Sequence, residues 1–394
     1  MKRDIETIRS DQKTIRVLQT GFFCLIILIA QNLYSQYTGY KYFKNYSYKE
    51  YKNPPQNWGI VQDKNGIIYV ANHGGVLTFD GVSWRVIGIP NYDTVRSMAM
   101  DQAGTIFIGG NNKIGFLAPQ PGGSLKYVSL LNHLDDKFKN FSNVWKTHAT
   151  TGGIYFRTQR FLFRWHRGEL KVVAEKHSYS ASFVCNDRFF LQQPEKGLIQ
   201  MANDSKTFIP GSEIFAVEKI RMMVPYDMDG LSQTLLIGTR LKGFYRYDGR
   251  TFMPFPTEVD DYLKKNKFYQ GTRLSTGEFA LATLDGGVVI MDRQGRLMYI
   301  FNKTSGLQDN KVHDIFEDTQ GNLWFCLNSG ISKIEYISPF FLYDDRSGLP
   351  GQALSVARRQ NILYAGTMNG LYRLEPPSKF RRIPGVKSSC WSLL

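Results

Sequence analysis

Cysteine and histidine are scarce in this chain, which has four cysteines and six histidines among its 394 residues. Cys185, Cys326 and Cys390 follow the first 35 residues, and their odd number and wide spacing predict neither a disulfide framework nor a zinc site. Cys185 and Cys326 stand in apolar runs, where a thiol usually behaves as a small buried hydrophobic group. No two histidines have the spacing of a helical metal pair, and no serine stands in a nucleophile elbow. We therefore expect no catalytic site, no metal and no cofactor.

Long apolar runs are also missing. The run at residues 17–30 would cover as a helix only about two-thirds of a ~30 Å hydrocarbon core. It follows a basic start and precedes Ser35, which is small enough for a cleavage site. We predict that residues 1–35 are a signal peptide, with an uncleaved N-terminal anchor as the alternative, and that the chain is exported.

Acidic residues are outnumbered, with 34 Asp and Glu against 49 Lys and Arg, for a formal charge of +15. Residues 1–35 hold five basic and three acidic residues, so 44 minus 31 leaves +13 on the rest. No nucleic-acid module is recognisable, and an exported chain is not expected to have nucleic acid as a partner. The positive charge is compatible with binding of an acidic glycan, although an ordinary solvated surface is the favoured explanation for the excess of basic residues. Small basic groups occur at Lys41, Lys44, Lys49 and Lys52, at Lys264, Lys265 and Lys267, and at Arg381 and Arg382.

An internal repeat is what the chain does contain. The repeat is clearest at residues 318–331, where an Asp-x-x-Gly turn precedes an apolar run and a second glycine. Because periods of roughly 40 to 50 residues indicate stacked or circular arrays, this repeat predicts the architecture. Other copies begin near residues 63, 101, 153, 188, 235, 275 and 363, and the second glycine recurs at Gly243, Gly287, Gly330 and Gly370.

Each copy is consistent with four antiparallel strands. An alternating strand such as Val312–Glu317 precedes the turn, and the almost wholly apolar run Leu323–Leu327 predicts a strand buried on both faces. Residues 370–374 alternate, as in a half-exposed strand, and a variable stretch such as residues 339–343 is predicted to be the outer edge. Four strands per ~40 residues describe a β-propeller blade. The predicted fold class is therefore all-β, a propeller of four-stranded blades.

Residues 305–318 (SGLQDNKVHDIFED), read on through Gly321-Asn322-Leu323-Trp324 to Gly330, resemble the two-component regulator propeller repeat. The resemblance covers nearly all of the chain after residue 35, and it is degenerate in the third to fifth copies. It implies the periplasmic sensor region of a hybrid two-component or one-component regulator of Bacteroidetes-type bacteria. Such regulators usually pair two seven-bladed propellers with a kinase or DNA-binding output domain, and no output sequence is recognisable here. The resemblance also implies a small nutrient-derived ligand, often an oligosaccharide, and a possible homodimer through the sensor region.

The repeat suggests a division of the chain into three parts. Residues 1–35 are the predicted signal peptide, residues 36–338 a seven-bladed propeller, and residues 339–394 the first blade and an incomplete next blade of a second propeller. Residues 42–47 could supply the outer strand of the last blade and close the ring. A single ring of eight blades is the competing count. We expect the chain to be a truncated sensor, with a membrane contact only through an uncleaved N-terminal segment or a missing C-terminal part.

Few residues are candidates for chemistry. His73 and His313 could face the central channel, although a polar turn or channel-lining role is the simpler explanation. Asp80, Asp248 and Asp285 each precede a glycine, and turn chemistry accounts for them better than an acidic pair for glycoside hydrolysis. Ligand-contacting residues are not predicted. The predicted function is ligand sensing by a two-component regulator, and the alternative is a secreted propeller enzyme, a polysaccharide lyase or hydrolase.

Overall fold

The computed structural model describes residues 39–174, 178–202, 205–227, 233–375, 378–386 and 388–393. The predicted signal peptide and His177 lie outside these ranges. Within them, no helix combines the length and the apolar character needed to cross a bilayer.

Short strands make up most of the regular structure. In the order of the chain, they are β1 Phe43–Tyr46, β2 Asn57–Gln62, β3 Ile68–Asn72, β4 Gly75–Phe79, β5 Trp84–Ile87, β6 Val95–Met100, β7 Ile106–Gly110, β8 Lys113–Pro119, β9 Leu125–Ser129, β10 Lys146–Thr150, β11 Gly153–Arg157, β12 Leu162–His166, β13 Glu169–Ala174, β14 Ala181–Cys185, β15 Arg188–Gln193, β16 Gly197–Ala202, β17 Ser205–Phe208, β18 Ile220–Pro225, β19 Leu235–Thr239, β20 Phe244–Tyr247, β21 Phe252–Phe255, β22 Phe268–Arg273, β23 Phe279–Thr283, β24 Val288–Met291, β25 Leu297–Phe301, β26 Val312–Glu317, β27 Leu323–Leu327, β28 Ile331–Ile334, β29 Ala353–Arg359, β30 Ile362–Thr367, β31 Gly370–Glu375 and β32 Lys379–Arg382. The helices are α1 Tyr48–Tyr51 and α2 Asp260–Lys265, with short 3-10 turns at Pro90–Tyr92, Leu131–His133, Asp136–Phe138, Ser212–Phe215, Lys303–Ser305 and Asp345–Ser347.

The described strands form eight four-stranded sheets, and the pairing is antiparallel throughout. Seven sheets contain four strands that are consecutive in the chain, beginning at β2, β6, β10, β14, β18, β22 and β29. The eighth combines β26, β27 and β28 with β1, so that Phe43 pairs with Ile334 and Tyr46 with Ile331. These sheets confirm the predicted all-β fold of four-stranded blades.

The prediction of an outer strand at residues 339–343 is wrong. The edge of β28 is already occupied by β1, which lies within residues 42–47, the alternative source of this outer strand. Leu342 makes only an isolated bridge with Tyr40, in which each backbone N–H donates to the other carbonyl over 2.7 and 2.8 Å. The stretch also begins with Pro339, which has no N–H to donate to a ladder.

The described residues group into two compact units. In the unit of residues 42–338, the inner strands β2, β6, β10, β14, β18, β22 and β26 contact one another in that order, and β26 also contacts β2. These seven sheets therefore surround a central channel lined by their inner strands. The other unit contains the sheet β29–β32, and Cys390 N–H donates to the Thr367 carbonyl over 3.0 Å. The count of blades in the protein and the proposed domain boundaries stay predictions.

The Asp-x-x-Gly turns form as the sequence predicts. Asp63 Oδ1 accepts the backbone N–H groups of Asn65 and Ile67, each over 2.9 Å, while Gly66 adopts a φ of +84°. Asp318 also accepts two backbone N–H groups, and its other oxygen accepts the Trp324 indole N–H over 2.8 Å. These turns join an inner strand to the second strand of the same blade.

The second strands carry the core between the sheets. All five residues of β27 are buried, as predicted for residues 323–327, and the same holds for β3, β7, β19 and β23. Tyr46 of β1 stacks on Trp324 with ring centroids 5.8 Å apart, and it also contacts Phe79 and Trp84 of the first blade. Because β1 thus joins the last blade to the first, aromatic packing closes the ring as well as strand pairing.

Candidate ligand-binding site in the central channel

A shared irregularity places side chains in the channel. In five inner strands of residues 42–338, the pairing with the second strand skips one residue near the start of the strand, as in a β-bulge. A bulge leaves its extra residue outside the ladder and re-aims its side chain. The skipped residues are Trp58 of β2, Arg96 of β6, Arg221 of β18, Tyr269 of β22 and His313 of β26.

These five side chains, called the bulge belt below, contact one another from blade to blade. The rings of His313 and Trp58 stack with centroids 4.2 Å apart, and the Arg96 guanidinium lies 3.9 Å from the Trp58 ring. Tyr269 meets His313 edge to face at 5.9 Å, and the Arg221 guanidinium lies 5.4 Å from the Tyr269 ring. The bulge belt is therefore a continuous cation and aromatic surface along the channel wall.

The inner strands β10 and β14 interrupt the belt. Both pair with their neighbours without a register shift, and the channel side of β14 carries small residues such as Ala181 and Ser182. A cavity of about 470 Å³ lies at this interruption. It is lined by the cations Lys146, Arg157, Lys219 and Arg221, the aromatics Trp145, Tyr179, Phe183 and Tyr269, and Gln159, Ser178, Ser180, Ala181, Ser182, Ile220 and Gln270.

The cations of the cavity are held largely by neutral partners. Arg157 is 7% exposed, and it donates to Ser182 Oγ and to the Tyr179 carbonyl, each over 3.1 Å. Burial lowers the pKa of Arg157 to about 10, so its guanidinium stays charged at neutral pH. Withdrawal from bulk water, together with repulsion from Arg221 and other nearby guanidinium groups, lowers the pKa of Lys219 to about 8. The cavity therefore concentrates positive charge.

One carboxylate lies beside the cavity and is already bonded. Asp314 accepts the backbone N–H of Ile60 over 3.1 Å with one oxygen and the Gln270 amide with the other. Gln270 in turn accepts the Lys146 ammonium over 2.9 Å. Burial raises the pKa of Asp314, and the nearby Lys146 opposes that change. This chain of bonds engages Lys146, whereas Arg157, Lys219 and Arg221 form no salt bridge with an acid among the described residues, and Glu218 only attracts Arg221 from a distance.

Four buried polar atoms around the channel have no hydrogen-bond partner among the described residues. They are the Trp58 indole nitrogen, Nε of Arg96, Nε of Arg221 and the Tyr179 hydroxyl. Buried donors in folded proteins are almost always paired with protein, water or ligand. Of these four residues, Arg221 and Tyr179 line the cavity, so their unpaired donors are the ones nearest to a bound molecule.

Ser182, which lines the cavity, pairs with His148, and sequence reasoning missed this pair. Ser182 Oγ lies 2.9 Å from His148 Nε2 and also accepts from Arg157. Burial and the nearby Lys146 and Arg157 lower the pKa of His148 to about 3. Since a general base works best with a pKa near the operating pH, His148 is a poor activator of the serine. The pair fixes the positions of the Arg157 guanidinium and the Ser182 hydroxyl.

The two histidines singled out in the sequence have different positions. His313 is 5% exposed in the bulge belt, where its Nδ1 donates to the Asn57 carbonyl over 2.9 Å and burial lowers its pKa. His73 is exposed, and its Nδ1 lies 2.8 Å from Thr94 Oγ1, away from the cavity lining. Among the described residues, no group of three or more His, Cys, Asp or Glu could hold a metal ion.

The remaining candidates have structural roles. Asp80 and Asp248 accept backbone N–H groups within their turns, whereas Asp285 pairs with Lys267 over 2.8 Å. None of the three carboxylates lines the cavity. Cys185 and Cys326 are buried as expected, and burial raises the pKa of both thiols, that of Cys185 to about 12. The basic groups noted in the sequence lie outside the cavity, for example on β1, α2 and β32.

Residues 306–329 match the family model described as Two component regulator propeller. The match spans a single copy of the repeat. The matched segment contains His313 of the bulge belt and the Asp318 turn. The residues that line the cavity lie outside the match, most of them on blades where the repeat is degenerate. No curated protein matches the chain in sequence.

Solved structures show where this fold recurs. An extracellular domain assigned to a hybrid two component system of B. thetaiotaomicron shares 18% identity at a TM-score of 0.62, covering 87% of this chain and 49% of that one. A second such domain from the same organism shares 16% identity at a TM-score of 0.59, covering 89% of this chain and 47% of that one. The chain thus spans about half the length of both domains.

An enzyme has the same fold. The virginiamycin B lyase of Staphylococcus aureus shares 13% identity at a TM-score of 0.54, covering 74% of this chain and 98% of that one. At such identities, all three likenesses concern the fold.

Proposed function

We propose that this propeller is an exported ligand-sensing region of a two-component signal-transduction regulator, and that its ligand binds in the channel cavity. The cavity carries this proposal, because it brings cationic and aromatic side chains of four successive sheets to one place, with unpaired donors on Arg221 and Tyr179. Its volume of about 470 Å³ is within the range of small-molecule sites. The likeness to extracellular domains of hybrid two component systems supports a sensor propeller.

The geometry suggests how binding would be communicated. A ligand in the cavity would touch strands of four successive sheets, from β10 to β22, and so couple their relative positions. A ligand shifts a conformational equilibrium only by its difference in affinity for the two states. A nutrient-derived ligand such as an oligosaccharide would therefore have to favour one arrangement of two sensor chains. The homodimer and the periplasmic location are parts of this proposal.

Calorimetry on the purified chain tests the sensor. Neutral and acidic oligosaccharides are titrated into the chain, and each mixture is then analysed for products by chromatography. We expect binding without turnover, and we expect Trp145→Ala to abolish it, because Trp145 lines the cavity. Lys171→Gln is the matched control, since Lys171 lies on β13 and pairs only with the exposed Glu169.

The same experiment tests a polysaccharide lyase or hydrolase. The lyase fold and the pair formed by Ser182 and His148 are the observations that favour an enzyme. Release of products from any polysaccharide would contradict the sensor. Failure of every oligosaccharide to bind would also contradict a sugar sensor.

A further inference from the structure

We propose that the cavity selects an anionic ligand, an organic molecule with a carboxylate, sulfate or phosphate group and a flat apolar face. The acidic group would contact Arg157, Lys219 and Arg221, and the flat face would lie against Trp145 and Tyr269. This inference rests on the proposed function, since it names the class of ligand for the same cavity.

The charge of the cavity is the first argument. Arg157, Lys219 and Arg221 come from β11 and from the start of β18, and their charges are close enough to repel one another. The acid nearest to Arg221 in the chain is Glu218, whose carboxylate accepts the Leu241 backbone N–H over 2.8 Å. Confining like charges with little solvent is costly unless an opposite charge joins them. A bound anion would supply that charge.

The hydrogen-bonding capacity of these groups is the second argument. Lys and Arg side chains are donors without acceptors. The Lys219 ammonium makes no hydrogen bond to a described residue, and Nε of Arg221 is buried without a partner. A neutral polyol needs acceptors for its own hydroxyl groups, whereas a carboxylate or sulfate only accepts. The unused donors therefore match an acidic group better than a neutral sugar face.

The aromatic side chains are the third argument. Trp145 is 39% exposed although it lies at the start of an inner strand, and the Arg96 guanidinium stands 5.5 Å from its ring. Tyr269 lies across the cavity lining beside Arg221. Aromatic rings next to cations provide an apolar surface within reach of charge, which suits a ligand that is both flat and acidic.

A matched pair of sugars tests the inference. Methyl glucuronide and methyl glucoside differ at one carbon, which carries a carboxylate in the first and a neutral alcohol in the second. Calorimetry in low salt at pH 7 is expected to give the glucuronide a Kd at least about tenfold lower than that of the glucoside. Sodium sulfate is a third probe, and we expect it to compete with the glucuronide.

Variants locate the site. Lys219→Gln and Arg221→Gln are each expected to raise the Kd for the glucuronide about tenfold. Lys171→Gln should leave the Kd unchanged, because Lys171 lies outside the cavity lining. Thermal unfolding of each variant verifies that it folds.

Three results would overturn the inference: equal affinity for the two sugars, unchanged affinity in both cavity variants, or no binding of either glucuronide or sulfate. The oligosaccharide panel described above separates these failures from failure of the sensor. If a neutral oligosaccharide binds and loses affinity in Trp145→Ala, the result would contradict selection of an anionic ligand but would still support the proposed sensor.

Discussion

The bulged inner strands β2, β6, β18, β22 and β26 differ from the regular inner strands β10 and β14 in what their channel side chains contact. Side chains of the bulged strands mostly contact one another, as in the stack of His313, Trp58 and Arg96. The regular strands have no bulge residue to project into the channel, and the cavity opens beside them. We infer that the belt supports the channel wall, whereas the interruption provides the binding site.

The largest expected effect is a difference in stability loss between Trp58 of the bulge belt and Trp145 of the cavity lining. Trp58→Ala should lower the free energy of unfolding by about 3 kcal/mol, because it removes the stack on His313 and the contact with Arg96. Trp145→Ala should cost under about 1 kcal/mol, since Trp145 is half-exposed, yet it should abolish ligand binding. Urea unfolding with calorimetry checks both. Equal losses of stability in the two variants would contradict the distinction between channel wall and binding site.

The second effect is a loss of folding stability in acid, and we expect His148 of the regular strand β10 to cause most of it. Its folded pKa of about 3 lies below the ordinary value of 6.5, so the unfolded chain binds a proton first as the pH falls. Stability should therefore fall between pH 6.5 and pH 3. With allowance for partial exposure of the ring, we expect a loss of about 2 kcal/mol by pH 4.

His148→Gln should remove this part of the pH dependence and leave stability at pH 7 and above little changed. Urea unfolding between pH 4 and pH 8 gives the comparison. An unchanged slope in the variant would show that His148 does not carry the effect.

A smaller effect concerns the one bulge residue that faces the cavity as a cation. Arg221→Gln should change the free energy of unfolding by less than about 0.5 kcal/mol, because the lost contact with Tyr269 is offset by relief of repulsion with Lys219. Chemical denaturation measures this. A large loss of stability would place Arg221 with Trp58 as part of the wall rather than of the site.

The smallest expected effect is the uptake of a fraction of a proton when the ligand binds. Because the pKa of Lys219 is lowered to about 8, part of its population is neutral at pH 8, and a bound anion should raise that pKa. Binding of methyl glucuronide at pH 8 should therefore take up protons, whereas binding at pH 6 should not. Calorimetry in two buffers of different ionisation enthalpy measures the uptake. Lys219→Gln should abolish it, and equal uptake in the variant would contradict the assignment.

Much of the fold could be predicted because the repeat combines local signals that agree. The apolar run at residues 323–327 and the alternating strand at residues 312–317 have the predicted bounds. The turn at Asp318 follows from its own hydrogen-bonding chemistry. The failure at residues 339–343 has a non-local cause, because the strand that occupies that edge comes from residues 43–46, almost 300 positions away in the sequence.

The site could not be predicted, because the cavity cations come from three separate places, β10, β11 and the start of β18, and each resembles an ordinary surface residue in isolation. One signal was nevertheless present. In three blades with the clear turn, the bulge residue stands five positions before the turn aspartate, and it is aromatic, imidazole or guanidinium each time. These pairs are Trp58 with Asp63, Arg96 with Asp101, and His313 with Asp318.

Bulge residues stand outside the hydrogen-bond ladder, so their side chains can be exchanged while the pairing of the sheet is kept. The sheet β29–β32 has the same register shift, and the residue skipped there is Leu354, an apolar side chain in place of a ring or a cation. In each of these six sheets, one position near the start of the inner strand therefore accepts different side chains without a change in the pairing. A combinatorial library that varies Arg221 and Tyr269, the two bulge residues that line the cavity, would sample new ligand preferences while the strand pairing is kept.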